Sequence, residues 1–238
     1  MSVFAGLVEH LADLLQPLFH ASAAAAAIVL FTALVRLLVH PLSRAAARGQ
    51  RARAALQPRV AELRRKHGKD QQALQKAVLE LHAEEKVSPL SGCLPGLLQL
   101  PAFFLLYHLF SNPTIGGQDN GLLAHDLLGA PLGGRWLDLL GGSGGGVFGG
   151  AGLVYAGLFV LVAVVAGFNF TRAKRTAVPG AGVGEGEQPV PGVEAVSKVV
   201  PYLSFFTLFT VAVVPLAAAL YVVTSTAWSA VERAVLYR

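Results

Sequence analysis

Arg36 is the only charge in an otherwise apolar run. Residues 21–39 read Ala-Ser-Ala-Ala-Ala-Ala-Ala-Ile-Val-Leu-Phe-Thr-Ala-Leu-Val-Arg-Leu-Leu-Val, long enough to cross a bilayer. Arginine keeps its proton at any workable pH, and burying it in lipid costs roughly 3 to more than 10 kcal/mol. The cheaper arrangement is a wet cavity. Thr32 lies four residues earlier, on the same helical face. Other polar residues at comparable depth are Gln99, Asn169, Thr207, Thr210, Tyr221 and Thr224. No Asp or Glu stands at comparable depth to neutralise Arg36. Such a set suits electrostatic and hydrogen-bonding work on a passing polar segment. The competing reading has Arg36 snorkel to the cytoplasmic face, since Pro41 and Arg44 mark that interface a turn or two away.

Covalent chemistry finds no support. Residues 141–145 read Gly-Gly-Ser-Gly-Gly, which fits G-x-S-x-G in letters only. The nucleophile elbow needs a strand before it and a helix after it, and no histidine follows His125. His82-Ala-Glu84-Glu85 lacks the second histidine of a zinc motif, and no phosphate-binding G-x-x-x-x-G-K-[ST] occurs. The single cysteine, Cys93, excludes an internal disulfide and reads as a small packing residue, as do Gly92, Gly96 and Gly167. His125-Asp126 reads as a surface pair. We expect no enzyme, no metal and no cofactor.

The elements that position these residues follow from composition and pattern. Of 238 residues 54% are hydrophobic and 14% charged, with a net charge of +5. That charge fraction is far below the roughly 25% of soluble domains. The expected architecture is an all-α polytopic membrane protein with five transmembrane helices. Residues 1–20 place Val3, Leu7, Leu11, Leu14, Leu15 and Leu18 at helical spacing around Glu9, His10 and Asp13, an extracytoplasmic amphipathic helix lying at the interface. They lack the basic start of a cleaved signal peptide. Residues 21–42 form the first span, ending at His40-Pro41. Residues 43–90 form a polar antiparallel helical hairpin, with Leu56, Val60 and Leu63 facing Leu74, Ala77, Val78 and Leu81. Residues 92–111 form the second span, kinked by Pro95 and Pro101. Residues 112–147 make an extracytoplasmic loop in which Leu122–Leu128 and Trp136–Leu140 could lie on the membrane surface. The third span covers 148–170, a flexible loop 171–196, and Pro215 divides the remainder into spans 197–214 and 215–233 with a short tail, 234–238. The last two are short enough to imply a locally thin bilayer.

Charge sets the expected orientation. Eleven of 19 Lys and Arg lie between Arg44 and Lys86, four more lie from Arg172 to Lys198, and the loop between spans two and three has only Arg135. By the positive-inside rule the N-terminus is outside, and the hairpin and C-terminus are in the cytoplasm of a bacterial plasma membrane. Arg59, Arg64, Arg65, Lys66 and Lys69 of the hairpin can meet anionic lipid or polyanionic ribosomal RNA.

Residues 32–43, Thr-Ala-Leu-Val-Arg-Leu-Leu-Val-His-Pro-Leu-Ser, resemble the first core span of the YidC-type membrane protein insertases. Residues 84–107, Glu-Glu-Lys-Val-Ser-Pro-Leu-Ser-Gly-Cys-Leu-Pro-Gly-Leu-Leu-Gln-Leu-Pro-Ala-Phe-Phe-Leu-Leu-Tyr, are similar to the family's most recognisable segment, which joins hairpin to second span. Pro215 followed by Leu220-Tyr221 resembles its final span. The resemblance covers nearly the whole chain. It implies five helices around a hydrophilic groove open to cytoplasm and lipid and closed outside, with Arg36, Thr32 and Gln99 at the family's arginine, threonine and glutamine positions. Tyr221 is followed by Val222 where the family often has a second aromatic. The large extra N-terminal span and periplasmic domain of some members, the long basic tail of others and a lipobox cysteine have no counterpart here, so a lipid anchor is not expected.

The function so implied is insertion and folding of newly made membrane proteins. Nascent membrane proteins would be the partners, the ribosome and the Sec translocon further candidates, a single copy the working unit, and DNA none. The main rival is a small transporter or channel. It predicts internal repeats with paired broken helices, which are not found, and leaves the hairpin without a purpose. A scaffold that dimerises through its hairpin leaves Arg36 unexplained.

Overall fold

In the computed structural model, residues 2–67, 70–87, 104–141, 146–176 and 200–236 are described. Gln99, Lys69, Cys93, the prolines at 95 and 101 and most of the loop at 171–196 lie outside them. The described chain is mostly helical: α1 Ser2–Phe19, a 3₁₀ turn His20–Ser22, α2 Ala23–Ala55, α3 Gln57–His67, α4 Gln71–Glu84, α5 at 104–111, α6 Trp136–Leu140, α7 Gly150–Thr176, a 3₁₀ stretch Val200–Phe205, α8 Phe206–Val213 and a final helix, α9, Leu216–Leu236.

Helix α2 passes through Pro41 rather than stopping there. Proline removes one helical N–H, and the Ala- and Arg-rich stretch beyond it favours helix enough to carry the backbone on to Ala55. Thirty-three residues rise about 50 Å, well beyond the ~30 Å hydrocarbon core, so the basic end at Arg44, Arg48, Arg51 and Arg53 extends past the apolar part. Two described stretches are long and apolar enough to cross a membrane, one within Val3–Ala52 and one at Gly150–Arg172.

Helix α1 docks on α2, by a face that shares only Leu11 and Leu15 with the leucine stripe. Ala5, Val8 and Ala12 are buried with Leu11 and Leu15 packed partly beside them, whereas Val3, Leu7, Leu14 and Leu18 are exposed, Leu14 at 74%. Small residues let the helices approach closely, and the larger side chains face outward, where lipid is as apolar as a protein core. The same logic places Ala24, Ala25, Ala27, Ala217, Ala218 and Ala219 in the core. Gly167 does not share this role, because a Cβ there would meet nothing within 4 Å.

Helices α3 and α4 pack on one another. Arg59 near the start of the first pairs with Glu85 just past the end of the second, so the two run antiparallel. Asp70 starts α4 by accepting hydrogen bonds from the backbone N–H groups of Gln72 and Ala73, 3.0 Å each. Asp70→Ala should cost about 1 kcal/mol of local helix stability. Amide exchange at Gln72 and Ala73 should accelerate several-fold relative to α3. Unchanged exchange would show that the cap contributes nothing.

The loop at 112–141 is folded. Thr114–Ile115 pairs with Gln118–Asp119 and Asp126–Leu127 pairs with Ala130–Pro131, both antiparallel. Gly116 and Gly117 turn the first hairpin at φ 61° and 83°, the positive pair of a tight two-residue turn. Leu122, Leu132 and Leu139 are buried, and Trp136 packs on Tyr155 and Phe159 of α7. Leu128, Leu137 and Leu140 are the exposed members. Part of the segment's apolar surface thus closes the core.

The loop also receives the break at Pro215. Val214 is extended, ψ 156°, as a residue before proline must be. The first N–H groups of the final helix then find acceptors outside it: Leu216 donates to the Gly134 carbonyl (2.8 Å) and Ala217 to that of Leu132 (2.9 Å). Tyr155 donates its hydroxyl to the same Gly134 carbonyl at 2.6 Å.

Candidate functional site

Polar residues recur along the line where α2 lies against the final helix. On α2 they are Thr32, Arg36 and His40, four apart. On the final helix they are Tyr221, Ser225, Ser229 and Glu232, spaced four, four and three, again one face.

Arg36 is half-buried and reaches across this seam. Its Nε donates to the Ser225 hydroxyl at 3.1 Å and its Nη2 to the Ser225 carbonyl at 3.0 Å, with a further Nη2 contact to the hydroxyl. Charge-assisted hydrogen bonds of this kind contribute roughly 1.5–3 kcal/mol each. Tyr221, one turn earlier, shares the Ser225 side chain and sets its ring against Phe110, centroids 6.1 Å apart. Further along, His40 Nδ1 and Glu232 Oε1 are 2.7 Å apart, and Arg51 donates to the Leu236 carbonyl at the end of the final helix. The pairings 36 with 225, 40 with 232 and 51 with 236 show that the two helices run in the same direction.

Thr32 is buried at 1% exposure and turns its hydroxyl back to the Ile28 carbonyl, 2.7 Å away. It therefore lines the packed interior next to Arg36. Asn169, half-buried on α7, accepts from Arg233 at 3.3 Å. Thr224 is half-buried beside Ser225, and Thr207 is half-buried on α8. Arg59, Arg64, Arg65 and Lys66 are exposed on α3, the last three in its final turn, where cations suit the carbonyl end of a helix. Gln99 and Lys69 lie outside the described residues.

Two features were not expected. Ser225, rather than an open cavity alone, meets the guanidinium. A carboxylate also reaches the seam: Glu232 sits beyond the apolar part of its helix, yet it comes within electrostatic reach of Arg36. Its signal was the i, i+4, i+8, i+11 stripe on the final helix.

Over 101 residues the chain is 39% identical to the membrane protein insertase YidC of Anaeromyxobacter sp. (strain Fw109-5), covering 42% of this chain and 18% of that one. Over 81 residues it is 48% identical to the membrane protein insertase YidC of Francisella tularensis subsp. novicida (strain U112), covering 34% of this chain and 15% of that one. The matched stretch is thus less than a fifth of those relatives' length. The apolar helices and these relatives point to a bacterial inner membrane. A model of the 60Kd inner membrane protein family matches residues 15–238, nearly the whole length, and the chain belongs to that family.

Proposed function

We propose that this chain is a membrane protein insertase that works without covalent chemistry. The observation that carries the reading is Arg36, a permanent cation at the depth of an apolar span, held by Ser225 along a polar seam in a member of a family with insertase relatives. Five membrane helices, with the second including α5 and the fourth α8, surround a groove that contains this seam. Arg59, Arg64, Arg65 and Lys66 lie with the α3–α4 hairpin in the cytoplasm, where they meet anionic lipid, the nascent chain or the ribosome. The N-terminus is outside and the folded 112–141 loop closes the outer end. Nascent membrane proteins are the substrates, with the Sec translocon as a neighbour and one copy as the working unit.

Transfer then proceeds by substitution of environments. Polar groups along the seam receive the polar flank of the substrate and lower the cost of drawing it into the membrane. The apolar segment leaves sideways along spans two and four into lipid, driven by its own burial at roughly 25 cal/mol per Å². The membrane potential adds force on any substrate charge.

Insertion of a small single-span protein with a short acidic N-terminal tail tests the proposal, in liposomes with and without the purified chain and scored by protease protection. Protection several-fold above empty liposomes is the expected result. Equal protection in both would refute unaided insertase activity for such a substrate.

A further inference from the structure

Glu232 is the only acidic side chain of the final helix, and its setting is specific. The side chain is 12% exposed and its Oε1 lies 2.7 Å from Nδ1 of His40, itself 34% exposed. His40 is one turn beyond Arg36 on α2, and Glu232 is two turns beyond Ser225 on the final helix. The carboxylate therefore lies on the same seam as the guanidinium, about 10 Å further along by helical rise. The adjacent cation, Arg233, is turned to Asn169 on α7 and is not hydrogen-bonded to Glu232 among the described residues. Without Glu232 the seam would present Arg36 and His40 with no resident negative charge.

We propose that Glu232, positioned by His40, is a specificity-determining residue: it is a built-in competitor that an acidic substrate residue must displace or outmatch to occupy the Arg36 seam. An acidic tail gains attraction from Arg36 but meets repulsion from Glu232. A neutral tail meets neither, and a basic tail meets the opposite balance. One carboxylate at this separation, partly screened, changes such a preference by a modest factor rather than by orders of magnitude. The proposal rests on the insertase reading for its substrate, but its geometry concerns recognition and can be tested by binding alone.

The test uses three single-span peptides that differ only in two tail residues, Asp-Asp, Asn-Asn or Lys-Lys. Each is measured for binding to the full chain in nanodiscs and for insertion into proteoliposomes, with wild type, Glu232→Gln and His40→Gln. Glu232→Gln keeps a hydrogen-bonding partner for His40 while removing the charge. It should raise the Asp-to-Asn preference about threefold and lower the Lys-to-Asn preference by a similar factor. His40→Gln should shift both preferences in the same directions as Glu232→Gln but by a smaller factor, because it frees the carboxylate from its position without removing it. Equal loss for all three tails in Glu232→Gln would make the pair a structural latch and overturn the proposal, as would preferences that match wild type. Charge-dependent binding without insertion would uphold the role of Glu232 while refuting transfer. Insertion with unaltered preferences would do the reverse.

Discussion

Arg36→Ala is expected to cut insertion of a substrate with an acidic tail by roughly tenfold, the scale of one charge-assisted hydrogen bond. The side chain supplies a charge and also a two-point link to Ser225 through Nε and Nη2, and the substitutions separate these roles. Arg36→Lys keeps the charge but offers a compact ammonium in place of a planar fork, so it should recover most of the insertion of acidic tails. Ser225→Ala removes the hydroxyl acceptor, leaves the carbonyl and the charge, and should reduce insertion only about twofold across all tails. Protease protection in proteoliposomes reads each outcome. Equal activity of wild type, Arg36→Ala and Arg36→Lys would refute a role for the charge while leaving the family membership untouched.

The second large effect concerns stability. Asn120 is buried in the 112–141 loop, where Nδ2 donates to the carbonyls of Leu109 (2.8 Å) and Asn112 (3.0 Å). Its backbone N–H donates to the Pro113 carbonyl at 2.7 Å. One side chain thus satisfies the end of α5 and fixes the start of the loop. Asn120→Asp has nearly the same shape but points a carboxylate at two carbonyl oxygens, and the charge has lost water. A loss of about 3 kcal/mol is expected, from a buried polar group stripped of its partners. Asn120→Ala should lose about 2 kcal/mol, because two carbonyls are left unpaired but no charge is buried. Thermal unfolding in detergent, with limited proteolysis of the 112–141 loop, checks both. An Asp variant as stable as wild type would show that the loop is held without this side chain.

Local rules explain which parts of the fold could be read from residue spacing. The helix break at Pro215 is legible because proline removes an N–H and forces its predecessor to extend. The stripes of α3 and α4 are legible because Leu56 and Val60 recur at helical spacing and are buried. Helix α1 shows the limit of periodicity. It carries two apolar stripes, and which one docks depends on the flat alanine face of α2, not on its own leucines. The 112–141 loop was opaque for a related reason: its burial depends on carbonyl acceptors for the final helix, a need that becomes visible only once the helices are assembled. At the site, Arg36 announced itself by chemistry. Its partner Ser225 lies 189 residues away, and nothing in the local sequence says which residue of another helix it meets. Glu232 is legible only through its helical face, which aligns it with Tyr221 and Ser225.

The bonds from Leu216 and Ala217 to the 112–141 loop bear on how the molecule can move. A rod pinned at one end can only swing at the other. The final helix is 21 residues long, about 32 Å, so a tilt of roughly 10° about its pinned end would carry its far end about 5 Å. That is enough to part His40 from Glu232 and to admit a polypeptide side chain, while the Gly134 carbonyl keeps its donors. The pivot is at the end held by the 112–141 loop, and the travel is at the end that carries Glu232 and Arg233.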